Sequence, residues 1–341
     1  MERELVSVIL VTWNSAQYLR RCLEALRQQT HRRVELIAID NASSDESVSV
    51  LEGFLGSSGY LGVPRSTSEY LGVFSLPSEE LRGTPSYSVV IRNDTNRGFS
   101  AAVNQGLAVA RGEYVLLLNP DCFLEPHYIE RLVAALERAP ECGSATGMLM
   151  RANGDAGEID SCGIRMTRTG RHLDIDVRVD GEVFGVSGAA AMHRMSFLRD
   201  VAIDGEVLDE DFFAYREDAD LAWRGRLLGW KAVCEPRAVA AHVRHVTPEV
   251  RRELSATINM HSVKNRFLLR IKNEGAYLAL RNAPFELARD LVVLVASLTI
   301  ERTSLPAFAW LWRNRARVFA KRRAIQSRRK VGDRELARWF R

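Results

Sequence analysis

The sequence predicts an α/β domain with a mixed, mostly parallel central sheet flanked by helices, followed by a helical and basic C-terminal region. Three observations lead there. Residues 6–12, 34–39 and 114–118 are short, largely apolar runs with the composition of strands buried on both faces, as parallel sheets require. The segment between the first two runs has helical periodicity, so the pair reads as a βαβ unit of parallel strands. The runs stop at polar residues, Trp13-Asn14-Ser15, Asp40-Asn41 and Asn119-Pro120-Asp121. Those are carboxyl strand ends, where open α/β sheets bind ligands.

In chain order, Asn14 or Ser15 is expected to cap a helix through Gln29 that sets Leu19, Leu23 and Leu26 on one face. Residues 53–85 are rich in Gly, Ser and Pro and read as a surface insertion. A strand at 87–91 leads into Asn93-Asp94-Thr95-Asn96-Arg97-Gly98-Phe99, and a helix over 100–110 carries Asn104 and Gly106. The run at 114–118 then delivers Asp121 to the end of a central strand. Asn119-Pro120-Asp121 admits two readings: a metal and nucleotide site, or a turn capping a helix over 123–138. Residues 143–150 and 165–183 alternate, with Asn153-Gly154 and Asp180-Gly181 turns, so antiparallel strands follow. Residues 186–192 form a small-residue strand suited to close approach by a ligand or by another backbone. The acidic segment 209–220 crowds the start of a helix, where the macrodipole favours negative charge. Two short strands, 231–234 and 238–242, close a domain of residues 1–255.

Composition narrows the classes. The 341 residues, 46% hydrophobic and 26% charged, suit one large α/β domain with an appendage. The start runs directly into a strand, which leaves no room for a signal peptide. Five cysteines are scattered without a Cys-x-x-Cys pair, as expected of reduced thiols in a cytoplasmic protein. No Gly-x-Gly-x-x-Gly follows the first strand and no Gly-Lys-Ser/Thr loop occurs, which disfavours classical dehydrogenases and P-loop enzymes. Zinc hydrolysis is disfavoured too, since neither His-Glu-x-x-His nor clustered cysteines appear. From 301 to 341 the chain has 13 Lys and Arg against 3 Asp and Glu. The basic character therefore sits in the region 256–341, and the remainder is net acidic. Residues 291–300 are too few to span a bilayer core of about 30 Å. Trp310-Leu311-Trp312, followed by Arg313, Arg315, Arg317 and Lys321-Arg322-Arg323, reads as a helix on an anionic membrane surface. Apolar and aromatic residues accompany the charge, which favours that surface over nucleic acid.

Several motifs in order carry a family resemblance. Residues 6–14 with Asp40-Asn41-Ala42-Ser43-Ser44-Asp45, Asn96-Arg97-Gly98-Phe99 with Asn104 and Gly106, Leu117-Leu118-Asn119-Pro120-Asp121, and Glu217-Asp218-Ala219-Asp220-Leu221-Ala222-Trp223-Arg224 resemble the successive motifs of family 2 glycosyltransferases. The resemblance spans residues 5–270. It implies a GT-A fold, a nucleotide-diphospho-sugar donor, a divalent metal (Mg²⁺ or Mn²⁺) and inversion at the anomeric carbon. Asn119-Pro120-Asp121 stands where many relatives have Asp-x-Asp, so only Asp121 carries over as a metal ligand. The tail from Lys321 to Arg329 resembles the bacterial rhamnosyltransferase branch, which implies dTDP-L-rhamnose as donor.

By the same resemblance, Thr12, Asn14 and Asp40 contact the nucleoside side of the donor. Arg97 and Gly98 let backbone approach it, and Asn119 and Asp121 meet its diphosphate. Glycine at 98 also fits a plain turn requirement. His242 is either a second metal ligand beside Asp121 or a packed histidine at a strand end. Gly188, Ala189 and Glu217 lie on the acceptor side, and Asp218 is the base. The processive synthases carry Gln-x-x-Arg-Trp after the acidic motif. Here the one Arg-Trp is Arg338-Trp339, preceded by Glu335, so a single addition is expected. The expected acceptor is a saccharide or a polyprenyl-diphosphate-linked saccharide of cell-surface polysaccharide assembly, met at the inner face of the membrane. A homo-oligomer stays open. The rival reading is a non-catalytic nucleotide-sugar-binding scaffold, against which the presence of both Asp121 and Asp218 argues.

Overall fold

The computed structural model describes residues 4–55, 61–62, 87–155, 157–244 and 255–341. Its N-terminal half alternates strand and helix: β1 (Val6–Thr12), α1 (Ala16–Arg27), β2 (Val34–Asp40), α2 (Ser47–Leu55), β3 (Leu61–Gly62), β4 (Tyr87–Arg92), α3 (Phe99–Val109) and β5 (Tyr114–Leu118). These five strands are parallel, in the order β5-β1-β2-β4-β3. The expected insertion at 53–85 lies largely outside the described residues; its described parts are the end of α2 and the β3 pair of residues.

Strand periodicity explains why helices cover both faces of the sheet. Val6, Val8 and Leu10 pack into one cluster with Leu19, Leu23 and Leu26 of α1. Ile9 and Val11 point the other way, into a cluster with Ala102 and Val103 of α3. Gly106 lets α3 lie close, since a Cβ there would stand 2.9 Å from Ile9 Cγ2.

After β5 the chain forms β6 (Cys122–Leu124), α4 (Tyr128–Arg138), β7 (Cys142–Arg151), β8 (Ile159–Ser161), β9 (Ile164–Met166), β10 (His172–Asp174), β11 (Gly181–Val183), β12 (Ala190–Arg194), α5 (Met195–Val201), α6 (Glu217–Leu227) and β13 (Lys231–His242). β12 runs antiparallel between β5 and β7, and the sheet continues through β13 to β11. The sheet is thus mixed but mostly parallel, as expected. Two local expectations need correction. Residues 122–124 are not helical but pair antiparallel with β13, and the helix begins at Tyr128. The two strands expected at 231–242 are one, with a register shift between Cys234 and Val239 around Pro236.

The C-terminal region is helical: α7 (Ala256–Asn273), α8 (Ala276–Thr299), α9 (Pro306–Arg313), α10 (Arg315–Ser327) and α11 (Asp333–Leu336). It shares a core with α6, because Trp223 packs with Leu268, Val318 and Phe340. The expected basic surface at 321–323 is corrected in part, since Arg323 is exposed but its neighbours are not. Lys321 is buried in ion pairs with Glu206, Asp209 and Asp211, and Arg322 donates to the Ile271 carbonyl. Trp310 is half-buried under the Lys264 ammonium, whereas Trp312 stays exposed.

Candidate active site

The carboxyl ends of β1, β2 and β5 form the floor of the site. Thr12 and Asp40 are register partners there. Both are buried, and Thr12 Oγ1 and Asp40 Oδ1 have no hydrogen-bond partner among the described residues. Buried oxygens of that kind are costly unless something pairs with them. The loops above are tied to each other. Asn14 sits at φ 51° and its side-chain oxygen accepts from Ser44 N at 2.7 Å. Asp45 Oδ2 accepts from Ala16 N at 3.0 Å, so the cap of α1 comes from Asp45 and not from Asn14 or Ser15.

The Asn96–Gly98 motif is organised by a residue whose role was not read from the sequence. Asn41 Oδ1 accepts from Arg97 N at 3.0 Å and from Asn93 Nδ2 at 3.1 Å. Its Nδ2 donates to Asn96 Oδ1 and to the Gly98 carbonyl. Gly98 has φ 86°, and a Cβ would meet the Phe213 ring at 2.5 Å and the Phe213 carbonyl oxygen at 2.7 Å. Turn geometry and contact with Phe213 therefore require glycine here without any ligand. Arg97 leaves its side chain exposed.

Asp121 and His242 come together through strand pairing. His242 of β13 is opposite Cys122 of β6, so it faces the end of the Asn119-Pro120-Asp121 turn. His242 Nε2 lies 3.7 Å from Asp121 Oδ1, and its Nδ1 donates to Asp160 Oδ2 at 2.8 Å. Burial alone would raise the Asp160 carboxyl, but the His242 hydrogen bond and the Arg244 and Arg151 charges hold it below its ordinary value. Donation from Nδ1 leaves the Nε2 lone pair on the Asp121 side, the tautomer that metal-ligating histidines adopt. Imidazole and carboxylate at this separation fit one divalent cation about 2.1 Å from each. Among the described residues no group of three or more His, Cys, Asp and Glu forms such a site. Asp160 had no marking motif around it and was missed.

Gly188 and Ala189, just before β12, join this corner to the acidic one. The Ala189 carbonyl accepts from Asn119 N at 2.8 Å, and Gly188 N donates to Asp218 Oδ2 at 3.3 Å. Asp218 Oδ1 also accepts from Ala219 N at 2.7 Å, at the first turn of α6. Burial pushes the Asp218 carboxyl up to about 6, helped by the Asp174 charge and opposed by those two amides and Arg216. Glu217 is more deeply buried, with Oε2 unpartnered. Burial, then the Asp218 charge, push it up to about 8. Burial and mutual repulsion therefore make the pair hold a proton more readily than free carboxyls, and the deeper burial of Glu217 favours that side.

The other acids of the 209–220 segment do not converge on this edge. Asp220 pairs with Arg224 at 2.8 Å and Lys272 at 3.0 Å, and Asp209 pairs with Lys272 and Lys321, all buried beneath α6. Trp223 is fully buried, so both Trp223 and Arg224 serve packing and ion pairing as expected.

Comparison with known proteins shows the family and the fold. The model of Glycosyl transferase family 2 matches residues 7–64 and 79–201, more than half of the chain. The chain belongs to glycosyltransferase family 2. Among family relatives, the putative glycosyltransferase EpsH of Bacillus subtilis is 24% identical over 242 residues, 63% of this chain. The chain spans little more than half of EpsH, 56% of its length. An N-acetylglucosaminyl-diphospho-decaprenol L-rhamnosyltransferase of Mycobacterium tuberculosis is 23% identical over 80% of this chain and 86% of its own. The mannosyltransferase PcManGT from Pyrobaculum calidifontis, solved with GDP-Man and Mn²⁺, superposes with a TM-score of 0.53 at 17% identity. That match covers 96% of this chain and 86% of PcManGT, and it shows the GT-A fold.

Proposed function

We propose that the protein is an inverting glycosyltransferase that moves L-rhamnose from dTDP-L-rhamnose to a hydroxyl of a saccharide or polyprenyl-diphosphate-linked acceptor. The observation that carries the reading is the joining of two chemical corners at one sheet edge. Asp121 with His242 stands on one side of the Gly188-Ala189 segment, and Asp218 with Glu217 on the other. In this reading Thr12 and Asp40 offer their buried oxygens to the nucleoside. Asp121 and His242 would hold a divalent cation, Mg²⁺ or Mn²⁺, which would supply positive charge for the departing diphosphate. The Asp218 carboxylate takes the proton from the acceptor hydroxyl while that oxygen bonds to the anomeric carbon. The bond from that carbon to the diphosphate breaks on the opposite face, which inverts the configuration. Glu217, protonated, keeps a second negative charge away from the base.

The rhamnose assignment draws on the mycobacterial L-rhamnosyltransferase, which aligns over most of both chains. The metal draws support from PcManGT, solved with Mn²⁺, and from the Asp121–His242 geometry. Thermal stabilisation by a panel of nucleotide-sugars, with and without Mg²⁺ or Mn²⁺, tests the reading. The largest shift is expected from dTDP-L-rhamnose with metal. Preference for a UDP- or GDP-sugar would replace the sugar and keep the reaction class, whereas no shift with any donor would remove both.

A further inference from the structure

The α8 helix is built inside out. Its acidic residues face the protein, where Glu286 and Asp290 ion-pair with Arg270 of α7, and Asp290 also with Arg266. Arg281 donates to the carbonyls of Ala337 and Phe340. The opposite stripe, at steps of three or four, contains Leu280, Pro284, Leu287, Leu291, Val295 and Leu298, all exposed. Leu280 is 79%, Leu287 68% and Leu291 61% exposed. At a rise of about 1.5 Å per residue the stripe runs roughly 30 Å without a charged residue. An ordinary surface helix has the reverse arrangement, and an apolar surface of this extent marks an interaction face.

Charge identifies what the face meets. Between 302 and 330 every exposed charged residue is cationic, Arg302, Arg313 and Arg315 among them, and the Arg315 guanidinium lies 4.3 Å over the ring of exposed Trp312. The acids between 276 and 330 are the inward-paired Glu286 and Asp290 and the half-buried Glu301. We infer that α8 docks on the surface of an anionic lipid bilayer, lying in the interface with its apolar stripe inserted and these arginines at the headgroups. A second copy would bring like charges together, since the acids between 276 and 330 are paired inward or half-buried. No single helix among the described residues is long and apolar enough to cross a membrane, and α8 bends by 111° into the following helical segment.

The test is sedimentation of the full chain with vesicles of phosphatidylcholine alone and of equal phosphatidylcholine and phosphatidylglycerol. Binding is expected to the anionic vesicles, at least roughly tenfold tighter than to the neutral ones and weakened by salt. Leu287→Glu with Leu291→Glu alters exposed positions only. It should keep the melting temperature and lower vesicle binding about tenfold or more. Absence of binding by the unaltered protein, equal binding to both vesicles, or undiminished binding by the double variant would each overturn the inference. So would a dimer in light scattering that the double variant dissociates, since the face would then belong to a second copy. The readout is independent of sugar transfer, so its failure leaves the glycosyltransferase reading intact.

Discussion

Asp218 and Glu217 are adjacent in sequence, yet their surroundings divide one task between them. Asp218 keeps two backbone amides as partners for its charge, whereas Glu217 is buried with Oε2 unpartnered. A base must be ionised, so kcat/KM is expected to rise with pH through about 6. An unperturbed aspartate would place that limb near 3.9. Asp218→Asn keeps the shape and removes the basicity, and kcat should fall about 10²–10⁴-fold with donor affinity little changed. Glu217→Gln imitates the protonated acid and should retain most turnover; a dead Glu217→Gln beside an active Asp218→Asn would exchange the roles. On the proposed reading, Asp160 is a positioning residue behind His242. Asp160→Asn weakens the acceptor that fixes the His242 tautomer, and Mn²⁺ affinity in the presence of donor should drop roughly 10–100-fold. Unchanged Mn²⁺ affinity by calorimetry would show that His242 is a packed histidine.

At the scale of elements, the loop that delivers these carboxyls is strained. Phe213, Tyr215 and Arg216 all have φ between 66° and 74°, a region that costs non-glycine residues of order 1–3 kcal/mol each. Asn265 of α7 holds the loop: its Nδ2 donates to the Phe212, Ala214 and Tyr215 carbonyls at 2.8–2.9 Å. Asn104 of α3 secures the approach, exchanging hydrogen bonds with both backbone groups of Leu208. Asn265→Ala should cost about 1–3 kcal/mol of stability by orphaning buried carbonyls. It should also lower kcat more than donor affinity, because the donor floor stands on β1, β2 and β5. Equal loss in kcat and in donor binding would mean a general loosening of the fold.

At the scale of the molecule, the C-terminal helices share a core and buried ion pairs with α6 and the acidic segment before it. Burial alone would raise the Asp209 carboxyl, but the Lys272 and Lys321 ammoniums hold it far below the ordinary range. Lys321→Met would leave Asp209 and Asp211 short of a buried partner and should destabilise the protein by about 3–5 kcal/mol. A melting temperature unchanged in Lys321→Met would return this residue to the surface role that its basic neighbours suggested. The sequence by itself determined the alternating strands and helices, the polar strand ends, and Asp121 and Asp218 as the residues to examine. These are local matters of apolar period and of motif spacing, which a linear chain records. Only the tertiary structure decided which partner each charge meets. His242 reaches Asp121 because β13 pairs with β6 in one register, and Asp160 reaches His242 from 82 residues away. In the same way Lys321 reads as surface charge and is buried against Asp209. Long-range pairing and burial depend on how elements pack, and residue type alone does not encode them.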